Sequence, residues 1–278
     1  MLVMAALAED IGQGDVTTAA IVTPGDTGEA VIIAKQDLAL AGLFIVELVY
    51  KRLDRRIKVK PLRGDGETVK KGAALARVSG PLAPILTGER VALNFLQRLS
   101  GVATHTAKFV EAIKGSRAAI LDTRKTTPCF RLLERYAVKM GGGANHRFGL
   151  HDAVLIKDNH IKAAGGVGEA MRRVCSVVHD EGLVEIEAST LKEVAAAVAA
   201  GADIILLDNM SPAQIKNALK IINGAAITEV SGGVTLDNVG KFAKTGADFI
   251  SVGSLTHSAP SVDISMEVRK VCRGKRRG

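Results

Sequence analysis

The stretch DIILLDNMSPAQIKNALKIINGAAITEVSGG (203–233) decides the fold. It opens with an apolar run, DIILLD (203–208), continues through the helical pattern Pro212–Ile222 and closes on a second run, AITEVS (226–231). Short branched runs of this kind are strands, and strand, helix and strand in succession make the unit that builds parallel sheets. The same rhythm continues on both sides. AAILD (118–122), AVLIK (153–157), VEIE (184–187) and DFISVG (248–253) read as further strands, with another helical segment at Leu191–Ala200. The later strands recur roughly 20 to 23 residues apart, a spacing that suits βα units closing into a barrel.

The first hundred residues break that rhythm. AVIIAKQDLALAG (30–42) and IKVKPLRGDGETVKKGAALARVSG (57–80) are strand-rich, with turns at Gly64-Asp65-Gly66 and Lys71-Gly72, and a helical stretch runs on from about Leu86 to Ile113. This predicts a separate α+β module. GDGETVKKG is also similar to a turn of biotinyl or lipoyl carrier domains, but no lysine occupies the context such a carrier modifies, so the glycines are read as serving tight turns.

With 278 residues, 47% of them hydrophobic, the chain can bury a full core in one large or two modest domains. No uncharged apolar run approaches the roughly 18 residues of a membrane helix, and MLVMAALAED meets an acid too early for a signal peptide. Cys129, Cys175 and Cys272 are odd in number, far apart and outside any CxxC pattern. They indicate neither a disulfide framework nor a zinc site and point to the cytoplasm. The formal charge of +8 raises nucleic acid as a partner. Part of that excess sits in the tail Arg269–Arg277, read as a solvated end, and two Tyr with no Trp leave little to stack on bases. Arg124, Lys125, Arg147 and Lys157 each stand near the end of an apolar run, a distribution that favours a small, highly anionic substrate.

The densest chemistry lies in GGGANHRFGLHDAVLIKDNHI (141–161). Arg147 offers a planar donor fork for a carboxylate, Lys157 a compact positive charge and His146 a proton near neutral pH. In a βα barrel the active site gathers the residues just beyond the carboxyl ends of the strands. Those positions hold Asp122-Thr-Arg124-Lys125, Lys157-Asp158-Asn159-His160, Glu187, Asp208-Asn209, Ser231-Gly232-Gly233 and Gly253. Each alone has a plain reading as a helix cap or a turn, but six in succession point to a site. AGGVGEAM (164–171) lacks the dinucleotide-binding context and reads as a helix start.

Over nearly its whole length the chain resembles the quinolinate phosphoribosyltransferase family. The matching segments are EDIGQGDVTT (9–18), GER (88–90), LQRLSGVAT (96–104), LDTRKTTP (121–128), YAVKMGGGANHRFGLHDAVLIKDNHI (136–161), EIE (185–187), LLDNM (206–210), EVSGG (229–233) and ISVGSLTHS (250–258). The resemblance implies an α/β protein with an N-terminal α/β sandwich (1–103) and an incomplete seven-stranded, TIM-like α/β barrel (104–262). A C-terminal segment (263–278) is expected to pack back on the first domain with a basic frayed end. It also implies a homodimer in which one subunit's N-terminal domain helps close its partner's site.

The implied reaction couples quinolinate to phosphoribosyl pyrophosphate with Mg2+, giving nicotinate mononucleotide, pyrophosphate and carbon dioxide. By similarity the two ring carboxylates meet Arg90 from the neighbouring subunit, Arg124, His146, Arg147 and Lys157. Lys125 suits the leaving pyrophosphate, and Glu187 and Asp208 suit Mg2+, held directly or through water, or the ribose hydroxyls. Ser231, Gly232, Gly233 and Gly253 suit the 5′-phosphate, with His257 bordering it. Neither nucleic acid nor membrane is expected as a partner.

The sequence departs from the family in three places. It opens almost directly on EDIGQGDVTT, where relatives usually have another helix first, and EIEAST matches the usual acidic strand only in part. The family's common TPGLR is TPCFR (127–131) here, and Cys129 reads as a small buried residue in preference to a reactive thiol. Two alternatives stand beside this reading: a same-fold relative associated with molybdate transport, and, on charge alone, a nucleic-acid-binding protein.

Overall fold

A computed structural model of the protein describes residues 1–177 and 182–274. In chain order its strands are β1 (Thr27–Ala34), β2 (Leu38–Ala39), β3 (Lys58–Pro61), β4 (Thr68–Val69), β5 (Ala74–Pro81), β6 (Ala119–Leu121), β7 (Val154–Ile156), β8 (Val184–Ala188), β9 (Ile204–Asp208), β10 (Ile227–Ser231), β11 (Phe249–Ser251) and β12 (Ile264–Cys272). The helices are α1 (Leu2–Ile11), α2 (Val16–Ile21), α3 (Leu43–Leu53), α4 (Leu82–Thr87), α5 (Glu89–Ala112), α6 (Arg131–Met140), α7 (Asp158–Ala164), α8 (Val167–Cys175), α9 (Leu191–Ala199), α10 (Pro212–Ile222), α11 (Val239–Ala243) and α12 (Ser254–His257). Contacts divide the chain into two compact units. One comprises Met1–Ala107, Pro128–Gly142 and Ala259–Gly278, and the other Lys108–Thr127 and Gly143–Ser258.

The first unit is built on an antiparallel sheet in the order β12, β1, β5, β3. Alternation along β1 buries Ala30, Ile32 and Ala34 while their neighbours stay nearer solvent, so one face of the sheet belongs to the core. Helix α3 buries Leu43, Ile45, Val46, Val49 and Tyr50, a stripe at helical spacing. Its first turn is tied by Asp65, which accepts the N–H groups of Gly42 and Leu43 and the hydroxyl of Tyr136. The GDGETVKKG turn therefore anchors a helix, and its Lys70 ammonium pairs with Asp37 at 2.7 Å. β12 runs antiparallel to β1, with Cys272 opposite Thr27, and Arg273 and the Gly274 N–H close on the buried Asp26. Residues 275–277 of the basic tail lie outside the described residues.

The second unit holds a parallel sheet in the order β6, β11, β10, β9, β8, β7. Ile186, Ile205, Leu207, Val230 and Ile250 are buried, as near-continuous apolar runs covered on both faces should be. The intervening helices start and stop where the local chemistry dictates. Ser211 caps α10 through the N–H of Gln214, Pro212 enters its first turn and Asn223, in the left-handed region, ends it. AGGVGEAM does open a helix, α8, from Gly166.

Among the described residues six strands form this sheet where seven were expected. Between β6 and β7 the ladder gains a single parallel bridge, Ala144 beside Leu121. The cause is local: GGGANHRFGLHDA (141–153) has glycines and polar side chains in place of the branched run a full strand needs. Among the described residues no helix is long and apolar enough to cross a membrane.

Candidate active site

Parallel register aligns the carboxyl ends of the strands. Ser231 stands opposite Asp208, and Glu187 opposite Leu206, so the acidic and glycine-rich ends of β8, β9 and β10 form one rim. Glu187 accepts the Asp158 N–H at 3.0 Å and lies 3.8 Å from Lys157 Nζ, which ties the ends of β7 and β8 together. Lys157 itself is half-exposed, and its N–H donates to His160 Nδ1. Asp208 accepts the side-chain amide of Asn209.

The turn after β10 sits directly beside Asn209. Gly232 and Gly233 have φ of +97° and +60°, and a Cβ on Gly232 would come within 2.9 Å of the Asn209 backbone nitrogen, with Asn209 Oδ1 nearer still. Lys125, Gly253 and His257 form a second group on this rim. A Cβ at Gly253 would lie 3.1 Å from His257 Nε2 and 3.3 Å from Lys125 Cδ. The carbonyl of Lys125 accepts the Thr256 hydroxyl, which fixes its backbone while its side chain stays exposed. Arg90 belongs to the other unit, exposed in the first turn of α5.

Arg147 is held differently. Its guanidinium donates to the Ala153 carbonyl at 3.0 Å, and its pKa is lowered by burial first and then by repulsion from the neighbouring Arg124. Two partly buried cations this close are costly in isolation and favour an anion that pairs with both. The segment that carries Arg147 is pinned by Asp122, fully buried at the end of β6, which accepts the His146 N–H and the Asn145 side chain. Further along, Asp152 accepts the N–H groups of Phe148 and Gly149 and turns the loop.

Beneath this loop lie two buried acids that the strand-end positions did not reveal, Glu185 on β8 and Glu229 on β10. His146 Nε2 is 3.2 Å from Glu185 and 3.5 Å from Glu229, and Glu229 also accepts the Ser251 hydroxyl. Burial, and then repulsion from Glu185, pushes the Glu229 carboxyl up to about 7. Burial opposes the His146 imidazolium, but the two carboxylates outweigh it and its pKa is raised. A second ring proton would nonetheless point at the Arg147 N–H, which donates to His146 Nδ1 at 2.7 Å. In this arrangement the ring therefore holds one proton, on Nε2.

His146, Glu185 and Glu229 each bring a ligand atom within 4.8 Å of the others, a spacing that suits a metal ion. The tautomer argues against one, because a ligating nitrogen must be bare and its opposite nitrogen normally donates. These three side chains and Arg147 line a cavity of about 1300 Å3 that reaches Ile204 and Phe249, at the amino ends of β9 and β11. Lys125, Glu187, Asp208 and Ser231 do not line it. The acids had a sequence signal: VEIE and TEVS place 185 with 187, and 229 with 231, on the same side of their strands.

Cys129 departs from its expectation. It is exposed, and it adopts a φ of +62°, a conformation that glycine takes at little cost and a side-chain-bearing residue resists.

Comparison with known proteins turns this geometry into an assignment. The profile of the quinolinate phosphoribosyl transferase C-terminal domain matches residues 102–267, and that of the N-terminal domain matches residues 15–100. The chain belongs to the quinolinate phosphoribosyl transferase family. It is 44% identical over 260 residues to the probable nicotinate-nucleotide pyrophosphorylase [carboxylating] of Bacillus subtilis, covering 94% of this chain and 90% of that one. The chloroplastic nicotinate-nucleotide pyrophosphorylase [carboxylating] of Arabidopsis thaliana is 43% identical, with 95% and 80% covered. Among solved structures, NadC from Streptococcus pyogenes superposes with a TM-score of 0.94 at 40% identity, covering 99% of this chain and 96% of that one. The mixed α/β class expected from the sequence is thus shared with solved structures of the family.

Proposed function

We propose that this chain joins quinolinate to phosphoribosyl pyrophosphate and releases pyrophosphate and carbon dioxide, producing nicotinate mononucleotide for NAD synthesis. The observation that carries the reading is the pair of neighbouring cations, Arg124 and Arg147, together with Lys157, which lies 3.8 Å from Glu187 at the strand ends. A dicarboxylate satisfies such cations, and the acids face the donor. In this reading Arg124, His146, Arg147 and Lys157 form the quinolinate end of the site, completed by Arg90 from a second copy of the chain. Ser231, Gly232, Gly233 and Gly253, with His257 at the border, take the 5′-phosphate.

The ring nitrogen attacks the anomeric carbon as pyrophosphate leaves, and Lys125 offsets the charge gathering on the leaving group. Glu187 and Asp208 offer the hard carboxylate oxygens that Mg2+ prefers. Bound there, directly or through water, the ion would neutralise the same developing charge. Once ribosylated, the ring nitrogen is cationic and stabilises the electron pair left when the adjacent carboxylate departs as carbon dioxide, and that pair then takes up a proton to complete the C–H bond of nicotinate mononucleotide. The protein's part in that step is to orient the ring and exclude water. The exposed cysteines, none of them in a disulfide, suit the cytoplasm.

The test is formation of nicotinate mononucleotide from quinolinate, with nicotinate as the control. A site that leaves cations unpaired on the monocarboxylate should strongly prefer quinolinate, and comparable turnover of nicotinate would sink the assignment. The shared site has its own test. Mixing inactive Arg90→Ala and Lys157→Ala proteins should restore part of the activity in mixed dimers, whereas no recovery in demonstrably mixed dimers removes Arg90 from the partner's site.

A further inference from the structure

Three facts about the His146 ring belong together. Its Nδ1 accepts the backbone N–H of Arg147, its Nε2 faces Glu185 at 3.2 Å and Glu229 at 3.5 Å, and the backbone N–H of His146 is held by Asp122. A neutral imidazole has one donor and one acceptor nitrogen, and here both are engaged by the protein.

The acids it faces are unusual for their place. Glu185 is 4% exposed and Glu229 3% exposed, and Glu185 Oε1 is buried with no hydrogen-bond partner. Two carboxylates buried against each other cost stability, so an arrangement that retains them calls for a purpose beyond packing.

We infer that Glu185 and Glu229 are positioning residues: through the Nε2–H of His146 they hold the imidazole as the acceptor of the Arg147 backbone N–H, and so set the backbone from which the Arg147 guanidinium reaches the ring carboxylate. Asp122 fixes the same segment from the other side by accepting the His146 N–H and the Asn145 amide. Between them, three buried acids from β8, β10 and the end of β6 set the backbone from which Arg147 extends. This inference rests on the proposed quinolinate chemistry only for its kinetic consequence. The ring's tautomer and orientation stand on the geometry alone.

The experiment reads the ring directly. Enzyme labelled with 15N-histidine, with the His146 signals assigned by loss in His146→Gln, should show a protonated Nε2 and a bare Nδ1 near neutral pH. That pattern should persist when phthalate is added, a dicarboxylate that lacks the ring nitrogen and so cannot react. Glu185→Ala should mix the tautomers and raise the quinolinate KM about tenfold or more, with the phosphoribosyl pyrophosphate KM unchanged. Glu185→Gln, whose amide oxygen can still accept from Nε2–H, should restore most of the quinolinate affinity. A wild-type ring protonated on Nδ1 overturns the inference, as does a ring that gains a second proton when phthalate binds. An Ala variant with unchanged ring signals and unchanged KM overturns it too. Failure of the underlying reading looks different: no nicotinate mononucleotide forms from quinolinate, while the wild-type tautomer is as stated.

Discussion

At the rim of the parallel sheet Lys125 is exposed and Glu187 and Asp208 are partly exposed, whereas the second acid on β8, Glu185, and its counterpart Glu229 on β10 lie almost out of reach of solvent. Glu187 bonds the start of the helix after β7, while Glu185 bonds an imidazole beneath the loop. The strand supplies both from the same face, because side chains alternate every second residue. Depth thus separates them: the outer acids keep contact with solvent, as their proposed role with ligands requires, whereas the inner ones hold other protein groups.

The harshest trial of that contrast is at the rim. Asp208→Asn keeps the shape but removes a charge from the proposed magnesium pair, and turnover should fall by about 100-fold or more with a raised magnesium requirement. Steady-state kinetics varying magnesium, quinolinate and phosphoribosyl pyrophosphate in turn would check it. A change confined to the quinolinate KM would break the division between donor and acceptor ends.

Arg147→Lys comes next. It keeps the charge and loses the fork, so quinolinate use should weaken by about 1.5–3 kcal/mol, read as kcat/KM, with little change toward phosphoribosyl pyrophosphate.

The inner acids make a prediction about stability. Glu229 has a folded pKa raised to about 7 from 4.5, so the folded state holds an extra proton between those values and loses stability as pH rises through them. Glu229→Gln should remove that loss and gain on the wild type by on the order of 2 kcal/mol between pH 5 and 8, measured by urea unfolding at each pH. Parallel pH profiles would mean that Glu229 is no more constrained than a rim acid. The smallest effect belongs to Cys129→Gly, which relieves a left-handed residue and should stabilise by about 0.5–1 kcal/mol in the same assay.

The sequence is most legible where polarity changes abruptly. DIILLD and AITEVS end in Asp208 and Ser231, and a charged or small residue after an apolar run announces both a strand and its rim. Glu185 and Glu229 sit inside their runs, so periodicity absorbs them as strand residues, and only the fold reveals that Glu185, Glu229 and His146 converge. The missing seventh strand has the opposite explanation. Its place is taken by a segment too rich in glycine and charge to alternate, of which Ala144 alone joins the ladder. Cys129 defeats the expectation of burial because residue size says nothing of φ.

The crowding of Gly232 against Asn209 changes how a mutational scan of this rim must be interpreted. An alanine there would collide with a neighbouring main-chain nitrogen as well as a side chain, so no compensating change at position 209 can make room. The residue would score as essential in any activity screen even if it never touched a phosphate. Only altering the ligand, for example by comparing donors with and without the 5′-phosphate on the unmodified enzyme, separates anion recognition from steric necessity at this turn.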